Sequence, residues 1–285
     1  MTPDGASLQR GTVGVVGVGI IGGGIARALA RAGARLALHD RRVDATAPFG
    51  DSAIVCQSAA ELAERCDVVI VAVFSEEQVR SVFSAPTGLL AGARPGLVVV
   101  TVSTVGVPLI EELQRLAAPA GVTLLDCGVT GGRESAREGR LVCMIGGPAA
   151  EVERVRPVLE AFSTLVVHVG PSGAGIRAKL ARNLITYSAY YAAQCATELA
   201  TRAGVDLDQL ALAIRASDSQ TGGPATQQLA RRTADLETRT HQAAACHKDL
   251  GAARELAASL GLELPIADLV LRHVDEIYRL DAEPA

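Results

Sequence analysis

Near the start of the chain one turn is built largely from glycine, Gly17-Val18-Gly19-Ile20-Ile21-Gly22. It follows an apolar run over 12–16 and leads into an Ala-rich amphipathic stretch over 25–35. That order predicts strand, tight turn and helix. A second apolar run, Leu36 to His39, ends in Asp40, 18 residues after Gly22, close to the spacing at which a dinucleotide-binding unit carries its ribose-binding acid. Each glycine has a separate task. Gly17 permits the sharp turn out of the strand, Gly19 lets backbone approach a pyrophosphate, and Gly22 lets the helix lie close to the strand. The helix N-terminus offers its N–H groups and positive dipole end to the phosphates, and Ile20 and Ile21 are expected with the glycines as cofactor-binding residues. Gly23 and Gly24 stand inside the helix start, where each costs about 1 kcal/mol relative to Ala. The sequence offers only close packing as their reason.

With 285 residues, the chain can form one large domain or two ordinary ones. Hydrophobic residues make up 49% and charged residues 20%, a balance that excludes disorder. The net charge is −4 and basic residues are dispersed, which argues against nucleic acid as a partner. No apolar run is long enough to span a membrane. The opening residues, MTPDGASLQRGT, are polar and hold no signal-peptide core, so the expected location is the cytoplasm. Six cysteines, at 56, 66, 127, 143, 195 and 246, have no metal-ligand spacing. They read as small buried hydrophobes in a reducing compartment, and no metal is expected.

The first half alternates. Val-rich apolar runs fall at 12–16, 35–39, 67–73 and 96–102, with helical patterns at 58–65, 76–83 and 108–118 between them. Strands follow over 122–126, 141–146 and 165–169, the last two separated by a helix over 149–162. Continuous apolar strands alternating with helices predict a mostly parallel, doubly wound sheet covered on both faces. From Ala174 onward only helices are expected. The first, over 174–203, spans about 45 Å and is apolar nearly all round, so it should be buried on most sides. Gly204 ends it. Further helices are expected over 206–216, 224–233, 241–260 and 265–280. The breaker cluster Gly170-Pro171-Ser172-Gly173 marks the boundary between a Rossmann-type domain, 10–171, and an all-helical domain, 172–285. Tyr187, Tyr190 and Tyr191 cluster on the long helix, where they serve core packing or a subunit interface.

Lys179 and Asn183 lie one turn apart on that helix and so share a face. A lysine on a buried helix is unusual, and desolvation would lower its pKa toward neutrality, as a proton-transfer group requires. Asn183 could hold the amine or bind a substrate oxygen. The plainer alternative is a lysine whose stem lies on the surface and whose amine reaches water. Two segments after strand ends, Thr101-Val102-Ser103-Thr104 and Asp126-Cys127-Gly128-Val129-Thr130-Gly131-Gly132, are expected as loops that could cradle a carboxylate.

Taken together, these segments resemble the β-hydroxyacid dehydrogenase family, which includes 3-hydroxyisobutyrate dehydrogenase and tartronate semialdehyde reductase and is related to 6-phosphogluconate dehydrogenase. The resemblance rests on GVGIIGGGIA at 17–26, TVST at 101–104, LDCGVTGG at 125–132, GAGIRAKLARN at 173–183 and HKDLGAA at 247–253. It implies a nicotinamide oxidoreductase acting on a small β-hydroxy acid or its semialdehyde. Lys179 would be the acid/base and Asn183 would orient the substrate. Ser103, Thr130, Gly131 and Gly132 would anchor the substrate carboxylate. Val73, Phe74 and Thr104 would line the nicotinamide side, and Lys248 would reach the cofactor. A homodimer or homotetramer through the long helix is expected.

The chain also departs from the family pattern. Thr101 stands where Asp is usual, and Arg182 where an Asn precedes Asn183. Thr130 replaces Ser, Ser135 replaces Gly, and Cys127-Gly128 replaces Ala-Pro, a change expected to loosen its loop. Cofactor choice sets Asp40, which favours NAD, against Arg41 and Arg42, which could hold the 2′-phosphate of NADP. NAD is the expectation. The alternatives are imine reduction, which commonly goes without the lysine, and a catalytically silent cofactor-binding scaffold.

Overall fold

The computed structural model describes residues 11–202, 204–218, 234–259 and 263–281. By contacts the chain divides into two compact units between Lys179 and Leu180.

The first unit is built on an eight-stranded sheet. Its strands are β1 (Thr12–Val16), β2 (Arg35–His39), β3 (Ile54–Val55), β4 (Val68–Val71), β5 (Val98–Thr101), β6 (Thr123–Thr130), β7 (Leu141–Gly146) and β8 (Ser163–Gly170). The spatial order is β3-β2-β1-β4-β5-β6-β7-β8. Strands β1 to β6 are parallel, β7 runs antiparallel to β6, and β8 is parallel to β7. The first six strands follow the doubly wound order of dinucleotide-binding sheets, so ligands are expected beyond their carboxyl ends. Every residue of β4 and β5 is buried, which is why these strands read as unbroken Val-rich runs rather than alternating ones.

The helices follow from local chemistry. Helix α1 (Ile20–Arg31) starts at Gly19 and buries its Gly22–Ala26 segment. Helix α2 (Ala59–Arg65) is capped by Ser58, whose hydroxyl accepts from Glu61 N. Helix α3 (Glu76–Ser84) opens with a capping box between Ser75 and Gln78. Helices α4 (Val107–Ala117), α5 (Gly132–Glu138) and α6 (Ala149–Glu160) complete the first unit's connections. The core joins Val15, Ile25, Leu29, Ile70, Val100, Leu125, Ile145 and Phe162, all nearly inaccessible to solvent. Arg27 stacks over Phe49, its guanidinium carbon 5.6 Å from the ring centre.

Helix α7 (Ala174–Arg202) begins in the first unit and continues into the second. Gly204, at φ +75°, follows it. The second unit adds α8 (Leu207–Asp218), α9 (Leu236–Ser259), α10 (Pro265–Arg272) and α11 (Val274–Tyr278). Its core gathers Tyr190, Cys246, Leu250, Val270, Val274, Ile277 and Tyr278, with Tyr187 and Tyr191 packed against it. The tyrosine cluster thus serves the unit's own core. Tyr187 and Tyr190 meet edge to face at 5.9 Å, and Tyr191 lies against His273.

Several expectations need correction. The segment over 126–130 is not a loop but the end of β6, paired with β7 through Asp126↔Gly146 to Thr130↔Val142. Antiparallel pairing gives β6 a partner beyond the point where β5 ends, so the strand continues. The 265–280 helix breaks at His273, and the two-residue strand β3 was too short to stand out in the sequence. Helix α7 exposes one face, at Ala181, Arg182 and Ile185, Ile185 at 71%, while its other described positions up to Tyr191 are buried or half-buried. The expected helix over 224–233 lies outside the described residues.

Candidate active site

The glycine turn sits at the carboxyl end of β1. Gly17 adopts φ +87°, and its N–H donates to His39 O at 2.9 Å. A Cβ on Gly22 would lie 1.9 Å from Gly17 O, so no side chain fits between helix and turn. A Cβ on Gly24 would strike the Ala136 backbone at 2.7 Å, because α1 crosses α5 there. That crossing is the close packing expected of Gly24, with Ala136 as its partner. Gly19 is different: a Cβ there meets nothing within 4 Å. Its glycine is not demanded by the protein's own packing, and this is what a backbone that must approach a pyrophosphate requires. Asp40 closes the turn from β2. Its Oδ2 accepts from Val18 N at 2.7 Å and its Oδ1 from Arg42 N at 2.9 Å. Arg42 Nε stands 3.7 Å from the same carboxylate, while Arg41 is exposed. Ile20 is exposed and Ile21 half-buried at the first turn of α1. The donors, the open glycine and the acid fit a dinucleotide.

The ends of β4 and β5 are tied together. Ser103 Oγ accepts from Val73 N at 3.1 Å and donates to Val73 O at 2.7 Å. This buried hydroxyl holds the Val73–Phe74 segment, and anchoring a carboxylate would require it to turn. Phe74 is 42% exposed, its N–H donating to Gln78 Oε1 at 2.9 Å. Thr104 is half-buried just beyond Ser103.

Strand β6 carries the third group. Thr130 is half-buried at its end, and Gly131 and Gly132 follow at φ +123° and +73°, both exposed. Asp126 is fully buried within the same strand, where its Oδ1 accepts from Gly173 N at 2.6 Å and its Oδ2 from Ile176 N at 2.8 Å. Burial raises the Asp126 carboxyl, and the N–H bonds from Ile176 and Gly173 oppose that shift. Lys179 is 9% exposed, and its stem runs along β6: a Cβ on Gly128 would lie 2.4 Å from Lys179 Cβ. Gly128 was expected to loosen a loop. It lies instead in a paired strand, where its bare α-carbon admits the lysine stem. Beside it, Cys127 shares a hydrogen bond with Cys143, which together with burial raises its thiol well above the ordinary value. Such a thiol is unreactive.

In the second unit Asn183 is 1% exposed. Its Nδ2 donates to Asp249 Oδ2 at 2.5 Å, and its Oδ1 accepts from Arg182 Nη1 at 3.2 Å. Tyr187 Oη donates to the same Asp249 oxygen at 3.1 Å, and Lys248 Nζ stands 3.2 Å from Asp249 Oδ1. Burial, and repulsion from Asp249, raise the Tyr187 hydroxyl.

Asp126, Asp249 and Tyr187 were missed as contributors. A residue inside an apolar run, such as Asp126, is a signal that could have found the first. Another signal lies in composition: of 27 Lys and Arg residues only Lys179 and Lys248 are lysine. A chain that supplies positive charge almost entirely as arginine keeps a compact amine at two positions, and both belong to the expected site.

Two family models cover nearly the whole described chain. The NAD binding domain of 6-phosphogluconate dehydrogenase matches residues 12–170. The NAD-binding domain of NADP-dependent 3-hydroxyisobutyrate dehydrogenase matches residues 173–282. An uncharacterised oxidoreductase of Mycobacterium tuberculosis is 34% identical over 96% of each chain. The NAD-dependent L-serine dehydrogenase of Pseudomonas aeruginosa is 30% identical over 94% of this chain and 91% of its own. Among solved structures, Mycobacterium tuberculosis 3-hydroxyisobutyrate dehydrogenase with L-serine superposes with a TM-score of 0.79 at 26% identity, covering 95% of this chain and 99% of that one. The chain belongs to the β-hydroxyacid dehydrogenase family of NAD(P)-dependent oxidoreductases.

Proposed function

We propose that the chain interconverts a short β-hydroxy acid and its semialdehyde, with Lys179 as general acid/base. The observation that supports this most directly is a lysine only 9% exposed whose stem lies against Gly128 of β6, the strand that ends at Thr130 just before Gly131-Gly132. The relatives' named substrates, L-serine and 3-hydroxyisobutyrate, are short carboxylates with a β-hydroxyl, and that class suits such a pairing of amine and anion cradle.

The nicotinamide, when bound, gives or takes the hydride. In reduction Lys179 donates its proton to the carbonyl oxygen, and in oxidation it takes the proton from the hydroxyl. Asn183, held by Asp249 and Arg182, would orient the substrate. Thr130 and the N–H groups of Gly131 and Gly132 hold the carboxylate, with Ser103 joining them when its hydroxyl turns. Gly17, Gly19, Ile20, Ile21 and Gly22 bind the pyrophosphate, Val73, Phe74 and Thr104 flank the nicotinamide, and Lys248 adds positive charge. Asp40 makes NAD the favoured cofactor, over the weaker pull of Arg41 and Arg42 toward NADP.

The same reading assigns 10–171 to dinucleotide binding and 172–285 to substrate binding and dimerisation, in a cytoplasmic homodimer or homotetramer. Ile185, 71% exposed on α7, would lie in that interface. Light scattering of Ile185→Asp, giving a smaller particle than the parent, tests that part.

Activity is tested with NADH and NADPH against short semialdehydes with and without a carboxylate, and against cyclic imines. Turnover restricted to carboxylate-bearing aldehydes is expected. Turnover of imines alone, or tight cofactor binding with no turnover, would replace this reading with one of its alternatives.

A further inference from the structure

Three glycines from three elements meet where α7 begins. A Cβ on Gly175 would lie 2.2 Å from Asp126 O and 2.6 Å from Met144 O. On Gly146 it would lie 2.7 Å from Gly175 N, and on Gly128 it would lie 2.4 Å from Lys179 Cβ and 3.0 Å from Gly175 O. The first turn of α7 therefore rests on the bare backbone of β6 and β7. The Asp126 carboxylate grips the same turn independently, through Gly173 N at 2.6 Å and Ile176 N at 2.8 Å. A buried acid that accepts the N–H just before a helix and one in its first turn fixes where the helix starts and how it is rotated. Lys179 follows one turn later, so its direction is set by the same two contacts.

We propose that Asp126 and Gly128 are positioning residues for Lys179, Asp126 by clamping the opening turn of α7 and Gly128 by admitting the lysine stem against β6. The proposal rests on the reading of Lys179 as the proton-transfer group. Neither residue touches the reacting atoms. Both act through the placement of one amine, for which an error of about 1 Å costs on the order of a hundredfold in rate. Gly128 cannot accept even a methyl group without a shift, because what it would meet is the lysine's own Cβ and helix backbone rather than the far end of a flexible chain.

The test uses the full chain with Gly128→Ala and Asp126→Asn, each made in the parent and in a Lys179→Ala background. Two readouts are taken. One is kcat for NADH-driven reduction, with NADH affinity measured by fluorescence. The other is reductive methylation of Lys179 by formaldehyde and cyanoborohydride, read by mass spectrometry, with Lys248, the only other lysine, as internal reference. In the parent, Gly128→Ala is expected to change the labelling rate of Lys179 severalfold and to lower kcat about a hundredfold. NADH affinity should stay within about twofold, and the Lys179→Ala background should show no further loss. Unchanged labelling overturns the proposal, as does an equal loss of kcat in both backgrounds, which would mark a general effect on the fold. Changed labelling with unchanged kcat leaves the positioning contacts standing and defeats the role of Lys179 instead. Should Gly128→Ala fail to fold, Asp126→Asn, which preserves shape but sets an amide against one N–H group, decides by the same readouts.

Discussion

Asn183 donates to Asp249 Oδ2 at 2.5 Å with both side chains almost fully buried. Tyr187 donates to the same oxygen, and Lys248 stands beside the other. The carboxylate is the common acceptor of the group, so removing it strands two buried donors at once. Asp249→Ala is expected to destabilise the protein by about 1–3 kcal/mol, read as a lower urea midpoint. Because Asn183 would no longer be held, kcat should fall as well. Tyr187→Phe removes one donor and leaves the acceptor satisfied, so its effect on both measurements should be smaller.

Gly19 and Gly22 offer a contrast within one turn. A methyl at Gly22 has no room against Gly17 O, whereas at Gly19 it meets no protein atom, and Gly19 has an ordinary φ of −80°. Gly22→Ala should therefore lower both the melting temperature and cofactor affinity. Gly19→Ala should leave the melting temperature unchanged and weaken NADH binding tenfold or more, about 1.4 kcal/mol. Equal NADH affinity in Gly19→Ala and the parent would remove the turn from pyrophosphate binding.

Asp40 accepts from two backbone N–H groups and faces Arg42. A carboxylate fixed in this way repels a 2′-phosphate, so kcat/KM should be higher with NADH than with NADPH. Asp40→Ala should narrow or reverse the ranking by removing the negative charge and freeing Arg42. A parent enzyme that prefers NADPH contradicts the assignment of Asp40.

Burial pushes the Cys66 thiol up to about 12 and the Cys56 thiol up to about 11, from an ordinary 9.0. The fold therefore favours the protonated form. Its stabilising effect is intact below about 9 and is lost as the pH rises through 11–12. Urea midpoints should hold constant from pH 7 to about 9 and fall above it. At neutral pH these thiols should resist iodoacetamide until urea unfolds the chain.

The sheet was legible in the sequence because its strands are buried on both faces. Val68–Val71 and Val98–Thr101 have no exposed position to interrupt the apolar run. The glycine turn and Asp40 were legible because their spacing is set by covalent geometry. The end of β6 was not, since Cys127-Gly128-Val129-Thr130 combines a glycine with hydroxyl and apolar residues, and only its pairing with β7 makes it strand. Gly24 and Gly128 owe their identity to Ala136 and Lys179, partners far along the chain. Asp249 likewise acquires its role from Asn183 and Tyr187, which no local pattern links to it.

The most direct measurement is the rate of NADH-driven semialdehyde reduction by Lys179→Ala, taken together with its NADH dissociation constant. With Lys179 as the acid/base, kcat is expected to fall about a hundredfold or more while cofactor affinity stays nearly unchanged. A variant that turns over at close to the parental rate would contradict that role.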